Sequence, residues 1–417
     1  LSKEYDMKNS TQEHSPRNEK IAFVILSAFL WIGAVCAGYF FEVAFLLLDA
    51  GLFLGLAIWL WLGRGTGLRI TIWHGYIAAF IGIYWISCLY ASDASAAIQE
   101  ASKFSNLLPL AILASSLSIG KFDSLLRQWA WVGAFLTVWG WMFELFRNGR
   151  LESTLGYANS LAVLLAAGAY LSWKAFRENH GKIYIGLLVL QLVGLVQTGS
   201  RSVLVLFAVI CCVELVRLRG KALFALLGIL AGGAAIAVGL ANSYSTEIFR
   251  RFSEISWNAP ELQLRRQYWS DGLNLLKEHW VAGLGGGGWA VEHSSWYYVK
   301  YLHQFYLQVA LEVGIVGLIA FLLVVFAPAY RSRETVLHAG FVWLLVGFLL
   351  LHVAVDIDFE YPLCFGLLVL LLARAESLNS LSWSGLQINR FMRLCVIFGG
   401  ILLAVAFSIL SVQHISV

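Results

Sequence analysis

The sequence predicts an all-α fold: a polytopic integral membrane bundle of about twelve or thirteen helices carrying one large helical loop on its outer side. Three observations carry that expectation. The composition is 59% hydrophobic and 13% charged over 417 residues, with a mean hydropathy of +0.74, more apolar surface than a water-soluble fold of this length keeps from solvent. The apolar runs lack the two-residue alternation of barrel strands, and lipid satisfies no backbone donor or acceptor, so unbroken runs must be helical. Lysine and arginine also divide unevenly between the two sides that such a topology creates.

Taken in order, residues 1–19 are polar and lack the apolar core of a signal peptide, so they are expected to form an inside tail with the first span as insertion signal. Apolar runs follow at 21–40, 43–62, 70–91, 107–119, 129–146, 157–173, 183–196, 203–216, 223–241, 305–326, 339–355, 362–373 and 394–412. Several fall short of the roughly 20 residues of a span and are expected to be tilted, re-entrant or merged with a neighbour. With the N-terminus inside, most basic residues, among them Arg64, Lys174, Arg177, Arg217, Arg219 and Arg333, fall in inside loops. Only Lys103, Arg147, Arg150 and Arg201 fall in short outside ones, a strong positive-inside bias. The net charge of +4 is therefore a topology signal, and no motif points to nucleic acid. All six cysteines lie in or beside apolar runs without metal-ligand spacing, so neither disulfides nor a metal site is expected. Residues 379–393 form a modest amphipathic or loop stretch inside. The chain reads as one membrane domain, 1–417, with residues 242–302 as an extracytoplasmic loop within it.

That loop is where chemistry is expected. Trp269, Leu273, Leu276 and Trp280 step by four, three and four, a helical period over residues 261–280. Arg265 stands four residues before Trp269 on that apolar face, while Arg266 is turned about 100° away. Both are candidate substrate-binding residues, Arg265 the stronger, and the alternative is that both merely snorkel to headgroups. The run Gly283-Leu284-Gly285-Gly286-Gly287-Gly288 reads as a mobile hinge or a linker. It is no phosphate loop, because the Lys-Ser/Thr pair and a preceding strand are missing.

His303 opens the next apolar helix at the membrane surface, where it could act as a general base on a sugar hydroxyl or serve only as an interfacial anchor. Glu312, nine residues on and roughly 13 Å deeper, reads as a buried partner for another helix's donor. Gly314 and Gly317 are small enough to let helices approach closely. Elsewhere, Thr198-Gly199-Ser200-Arg201-Ser202 puts a guanidinium at the outer mouth of the bundle, suited to a phosphate. Asp356, Asp358 and Glu360 offer the carboxylates of a metal pair, but on this side a polar rim or partners for the arginines is the expectation.

Arg201 in its Thr-Gly-Ser-Arg-Ser setting, Arg265 before Trp269, the glycine run, and His303-Gln304 followed by Glu312-x-Gly314-x-x-Gly317 together resemble the O-antigen ligase and polymerase superfamily. Gly156-Tyr157-Ala158-Asn159-Ser160-Leu161-Ala162 is similar to that family's Asn-containing signature. Gln304 stands where Asn commonly follows the histidine, and Ala158 where Pro commonly precedes the Asn. The resemblance implies glycan transfer on the periplasmic face of a Gram-negative inner membrane, from an undecaprenyl-pyrophosphate-linked donor to a lipid A-core acceptor. It gives Arg201 and Arg265 the pyrophosphate, with Arg266 and Asn159 in substrate binding, and gives His303 the acceptor hydroxyl, with neither metal nor cofactor. An O-antigen polymerase, whose acceptor is a second lipid-linked glycan, is the neighbouring alternative. A protein O-oligosaccharyltransferase is expected to carry a further C-terminal segment. A transporter or flippase should show an internal repeat, and none is evident.

Overall fold

A computed structural model describes residues 16–63, 69–218, 220–239, 260–293, 298–331, 340–377, 386–387 and 390–415. Residues 1–15 of the expected inside tail, the first part of the outer loop, Arg64, Arg219, Arg333 and most of the 379–393 stretch lie outside these residues; residues 16–19 of that tail already belong to the first helix. The architecture is an all-α polytopic bundle; the only strands among the described residues are two-residue antiparallel pairs, one of them Phe146–Arg147 with Arg150–Leu151.

The helices are α1 (Pro16–Val35), α2 (Glu42–Leu62), α3 (Ile72–Ser87), α4 (Ala94–Ser105), α5 (Leu107–Ala114), α6 (Ile119–Met142), α7 (Ala158–Arg177) and α8 (Ile183–Thr198). They continue as α9 (Arg201–Arg217), α10 (Lys221–Gly239), α11 (Pro260–His279), α12 (Gly288–Glu292), α13 (Phe305–Arg331), α14 (Gly340–His352), α15 (Pro362–Glu376) and α16 (Arg390–Ile415). Each expected apolar run falls on one of them. Among the described residues α1, α2, α13 and α16 are long and apolar enough to cross a membrane alone, and α3, α8 and α14 are shorter apolar helices.

Helices α7 and α15 are buried on all sides, as expected for segments apolar around their whole circumference. They form the axis of the bundle. Near its outer end a cluster of rings packs tightly: Phe359 stacks on Phe365 at 4.6 Å between centroids, and Phe305 meets Phe359 at 5.1 Å and Phe321 at 5.2 Å. Phe305 lies two residues after His303, and Phe359 lies between Asp358 and Glu360. The apolar core thus fixes both segments that carry the polar site.

The run expected at 107–119 is not one span. Helix α5 has eight residues, about 12 Å of rise, and it continues α4 across Asn106. Helix α4 begins early because the Asp93 side chain caps it, accepting from the Ser95 and Ala96 amides at 2.8 and 3.1 Å, an N-cap that satisfies two otherwise orphaned donors. Lys103 is consequently not in an outside loop. It is buried on α4 and pairs with Glu100 and Glu360, because a charge at this depth persists only with partners.

Helix α13 is broken at Val313 and Gly314 (φ 69°, ψ −173°), a conformation essentially confined to glycine. A break inside a bundle frees backbone groups that lipid cannot satisfy. Here the outer loop satisfies them: Leu284 and Gly285 amides donate to the Leu311 and Glu312 carbonyls at 2.8 Å each, and the Ile315 amide donates to the Trp280 carbonyl at 2.8 Å. The glycine run is therefore a packed wedge, correcting the expectation of a hinge or linker. A side chain at Gly283 would strike the Glu312 backbone, and one at Gly285 would strike Ala91 of the segment before α4. Gly314 serves the break and the close approach of the Val281 carbonyl, where the sequence suggested simple helix–helix contact.

Replacing Gly314 or Gly283 by Ala should each cost about 1–3 kcal/mol and lower the thermal unfolding midpoint in detergent. Gly82→Ala in α3, where a methyl meets open space, should be neutral or slightly stabilising. Equal midpoints for all three variants would refute the wedge.

Candidate active site around Asp356

The site is built around one carboxylate. Asp356 has no exposed surface and lies between α14 and the short turn Asp358–Glu360. It accepts from the Tyr157 hydroxyl at 2.6 Å, the Asn159 amide nitrogen at 2.6 Å, Arg265 Nη2 at 3.1 Å and the Ile357 amide at 2.9 Å. His303 Nδ1 stands 3.4 Å away. Donors thus converge on it from the start of α7, the outer helix α11 and the entry to α13.

Burial alone would raise the Asp356 pKa, but the His303 hydrogen bond and the Arg265 charge outweigh it and hold the carboxyl well below the ordinary range. The same pairing acts on Arg265, where burial disfavours the cation and Asp356 more than compensates, raising the pKa. Both groups are ionised. Arg265 also donates to the Val355 carbonyl, so its guanidinium is held at two points.

The inward face of α11 differs in register from the sequence expectation. Arg265, Trp269, Gly272 and Leu276 turn toward the bundle, whereas Leu273 and Trp280 are exposed. Leu302 packs where a Gly272 side chain would stand, and the Trp269 indole donates to the Leu302 carbonyl at 3.1 Å. Close approach at Gly272 selects the face. Arg265 keeps its inward place, and Arg266 is exposed and does not join the Asp356 cluster.

His303 has φ 54°, uncommon for a residue with a side chain and often found where a site imposes it. Its ring stacks on Tyr268 with centroids 6.3 Å apart. Gln304 accepts the Leu307 amide, so the residue replacing the expected Asn still caps α13 with an amide oxygen. Deeper on α13, Glu312 accepts from the Tyr84 hydroxyl of α3 at 3.0 Å and from Gln308 at 2.5 Å, the inter-helix partnership its position suggests.

Arg201 opens α9 and faces Glu261 at 3.8 Å. Glu261 lies four residues before Arg265, so Arg201 meets α11 one turn away from Arg265. Arg150 is a member that sequence reasoning missed. From the 146–151 hairpin it donates to the Asn159 side-chain oxygen at 2.5 Å and to the Thr198 carbonyl at 2.6 Å. The available signal was an arginine in a short outer hairpin nine residues before Asn159.

The acidic residues 356, 358 and 360 form no exposed rim: all three are buried. Asp358 pairs with His352 and accepts from Ser160 at 2.9 Å, and the other nitrogen of His352 meets Ser202 at 2.9 Å. Glu360 pairs with Lys103. Only Asp356 is the arginine partner that the sequence suggested.

Removing the Asp356 carboxylate leaves Arg265 charged, half-buried and short of a partner, so Asp356→Ala should cost about 3–5 kcal/mol and Asp356→Asn less. Because the folded-state pKa lies below the unfolded one, the carboxylate's contribution is complete above the ordinary carboxylate range and shrinks as pH falls below it. The wild-type unfolding midpoint should fall between about pH 5 and pH 3, with a shallower fall for Asp356→Asn. Parallel curves would contradict the assignment.

No curated protein matches the chain. The family model described as O-Antigen ligase matches residues 186–322, a stretch that includes Arg201, Arg265 and His303 and stops short of Asp356. That match, on an all-α polytopic bundle, supports membership of the O-antigen ligase superfamily for this chain.

Proposed function

We propose that the protein is a lipid-linked glycosyltransferase that moves O-antigen polysaccharide from undecaprenyl pyrophosphate to lipid A-core oligosaccharide. The coarser part of this, a ligase or polymerase acting on lipid-linked glycans, is what the family implies. Donor, acceptor and an inner-membrane setting with a periplasmic site belong to the proposal. So does a single membrane domain in which residues 242–302 cover the site.

The observation that carries it is the convergence of Arg265, His303 and Asn159 on one buried carboxylate, with Arg201 paired to Glu261 one helical turn from Arg265. His303 turns Nδ1 toward Asp356, which leaves Nε2 for the acceptor, and a carboxylate behind an imidazole fixes its tautomer and supports the cation formed on proton uptake. In the proposed step, His303 removes the proton of an acceptor hydroxyl. The oxygen bonds to the anomeric carbon of the donor's reducing-end sugar, and the bond from that carbon to phosphate oxygen breaks. The electron pair leaves with undecaprenyl pyrophosphate, whose charge Arg201 and Arg265 stabilise, with Arg150 as a third guanidinium nearby. Asn159 is held between Arg150 and Asp356 and is assigned to substrate binding. Arg266, exposed on the other face of α11, can contribute only at the outer edge. In this scheme arginines do the work a metal would do, and no cofactor enters.

Ligase is preferred to polymerase because one large outer loop carries the late site residues. His303→Ala should reduce transfer by about 10²–10⁴-fold with donor binding retained; near-normal turnover would exclude the base. Transfer by purified protein should persist in EDTA, and its loss there would exclude the metal-free scheme. In cells lacking the gene, unattached polymeric O-antigen on its carrier is expected, whereas single repeats capping lipid A-core would assign the polymerase instead.

A further inference from the structure

At the opposite end of the helices that carry the Asp356 site lies a second feature. Helix α7 runs from Ala158 to Arg177, α9 from Arg201 to Arg217, and α14 returns from Gly340 to His352. Between their far ends opens a cavity of about 800 Å³, within the range of ligand sites. Its rim holds Lys174, Arg177 and Arg217, and its walls include Trp173, Phe341 and Leu344.

The rim has more positive charge than it neutralises. Buried Glu214 is shared by two guanidiniums, Arg177 at 3.3 Å and Arg217 at 3.6 Å, and also accepts from the Tyr170 hydroxyl at 3.0 Å. Lys174 pairs with Glu178 at 2.6 Å and lies over the Phe341 ring at 4.4 Å. Among the described residues three cations thus face two carboxylates. One carboxylate cannot occupy ten guanidinium N–H donors, so the rim keeps donors and one positive charge for an anion.

The surface leading to this rim is apolar. Val205, Val209, Cys212 and Val216 are exposed on α9 at spacings of four, three and four, which align them in one stripe. The stripe ends beside Arg217. A cationic rim at a helix end, with an exposed apolar stripe on the neighbouring face of the same helix, suits a phosphate head whose acyl chain turns onto that face. Basic pockets between spanning helices hold anionic headgroups in this manner, and the lysine and arginine bias puts this end on the cytoplasmic side.

We propose that this cavity binds the phosphate of an anionic phospholipid, with an acyl chain along the Val205–Val216 face of α9. The site is separate from the one assigned to glycan transfer and does not depend on that assignment.

The test is a titration of delipidated, detergent-solubilised full-length protein, read by native mass spectrometry. Dioleoylphosphatidylglycerol is compared with dioleoylphosphatidylethanolamine, with inorganic phosphate as competitor. The first phosphatidylglycerol adduct should form at a concentration at least about fivefold lower than the first phosphatidylethanolamine adduct, and Arg217→Gln and Lys174→Gln should each remove about fivefold of that preference. Neither substitution strands Glu214, which keeps Arg177 and Tyr170, and an unchanged size-exclusion profile verifies folding. Equal uptake of the two lipids, or a preference that survives both substitutions, would reduce the lipid to an unspecific annulus and overturn the proposal. Displacement of phosphatidylglycerol by millimolar inorganic phosphate would overturn it as well, because the acyl chain would then contribute nothing.

Discussion

A carboxylate without exposed surface is tolerable only when its lone pairs are filled and its charge is opposed, and Asp356 meets that condition with donors drawn from across the chain. Tyr157 and Asn159 come from the entry to α7, Arg265 from the outer helix and His303 from the entry to α13. All four share it as a partner, whatever other contacts each of them makes. Because the donors approach from separate elements, the one charge fixes where the outer helix lies over the bundle and which way the imidazole turns.

The neighbouring acids extend the same logic inward. Asp358 ties α7, α14 and, through His352, the first turn of α9 together, and Glu360 ties in α4 through Lys103. Ordered aromatic packing around Phe305, Phe359 and Phe365 surrounds these contacts and holds the local dielectric low, which strengthens paired charges and penalises unpaired ones. The five residues 356–360 thus join the polar site to the apolar core.

The break in α13 makes a comparable demand through the backbone. Carbonyls and amides released at Val313 and Gly314 must find partners, and the stretch from Trp280 to Gly285 supplies them because Gly283 and Gly314 carry no Cβ to hold the two backbones apart. The outer loop is consequently anchored at two depths, by Arg265 at the surface and by Gly283–Gly285 beside the broken helix. An element that looks external in the sequence completes the interior of the bundle.

The fold class was legible because lipid imposes it: apolar runs without alternation can only be helices, and every such run is one. The inward direction of Arg265 was also legible, since helical periodicity places it with Trp269, as was the inter-helix role of Glu312. The sequence could not reveal that Lys103 is buried, because its partner Glu360 lies 257 residues away, nor that Arg150 reaches Asn159 from a hairpin whose fold depends on side-chain contacts. The register of α11 depended on Gly272 meeting Leu302, a contact that no local period encodes. By itself the sequence determined which segments are helices and which residue types could carry charge among them, because propensity and hydropathy are local. Only the tertiary structure decided that Asp356 gathers the arginine, the histidine and the asparagine, because which donors can reach a buried charge is a property of packing.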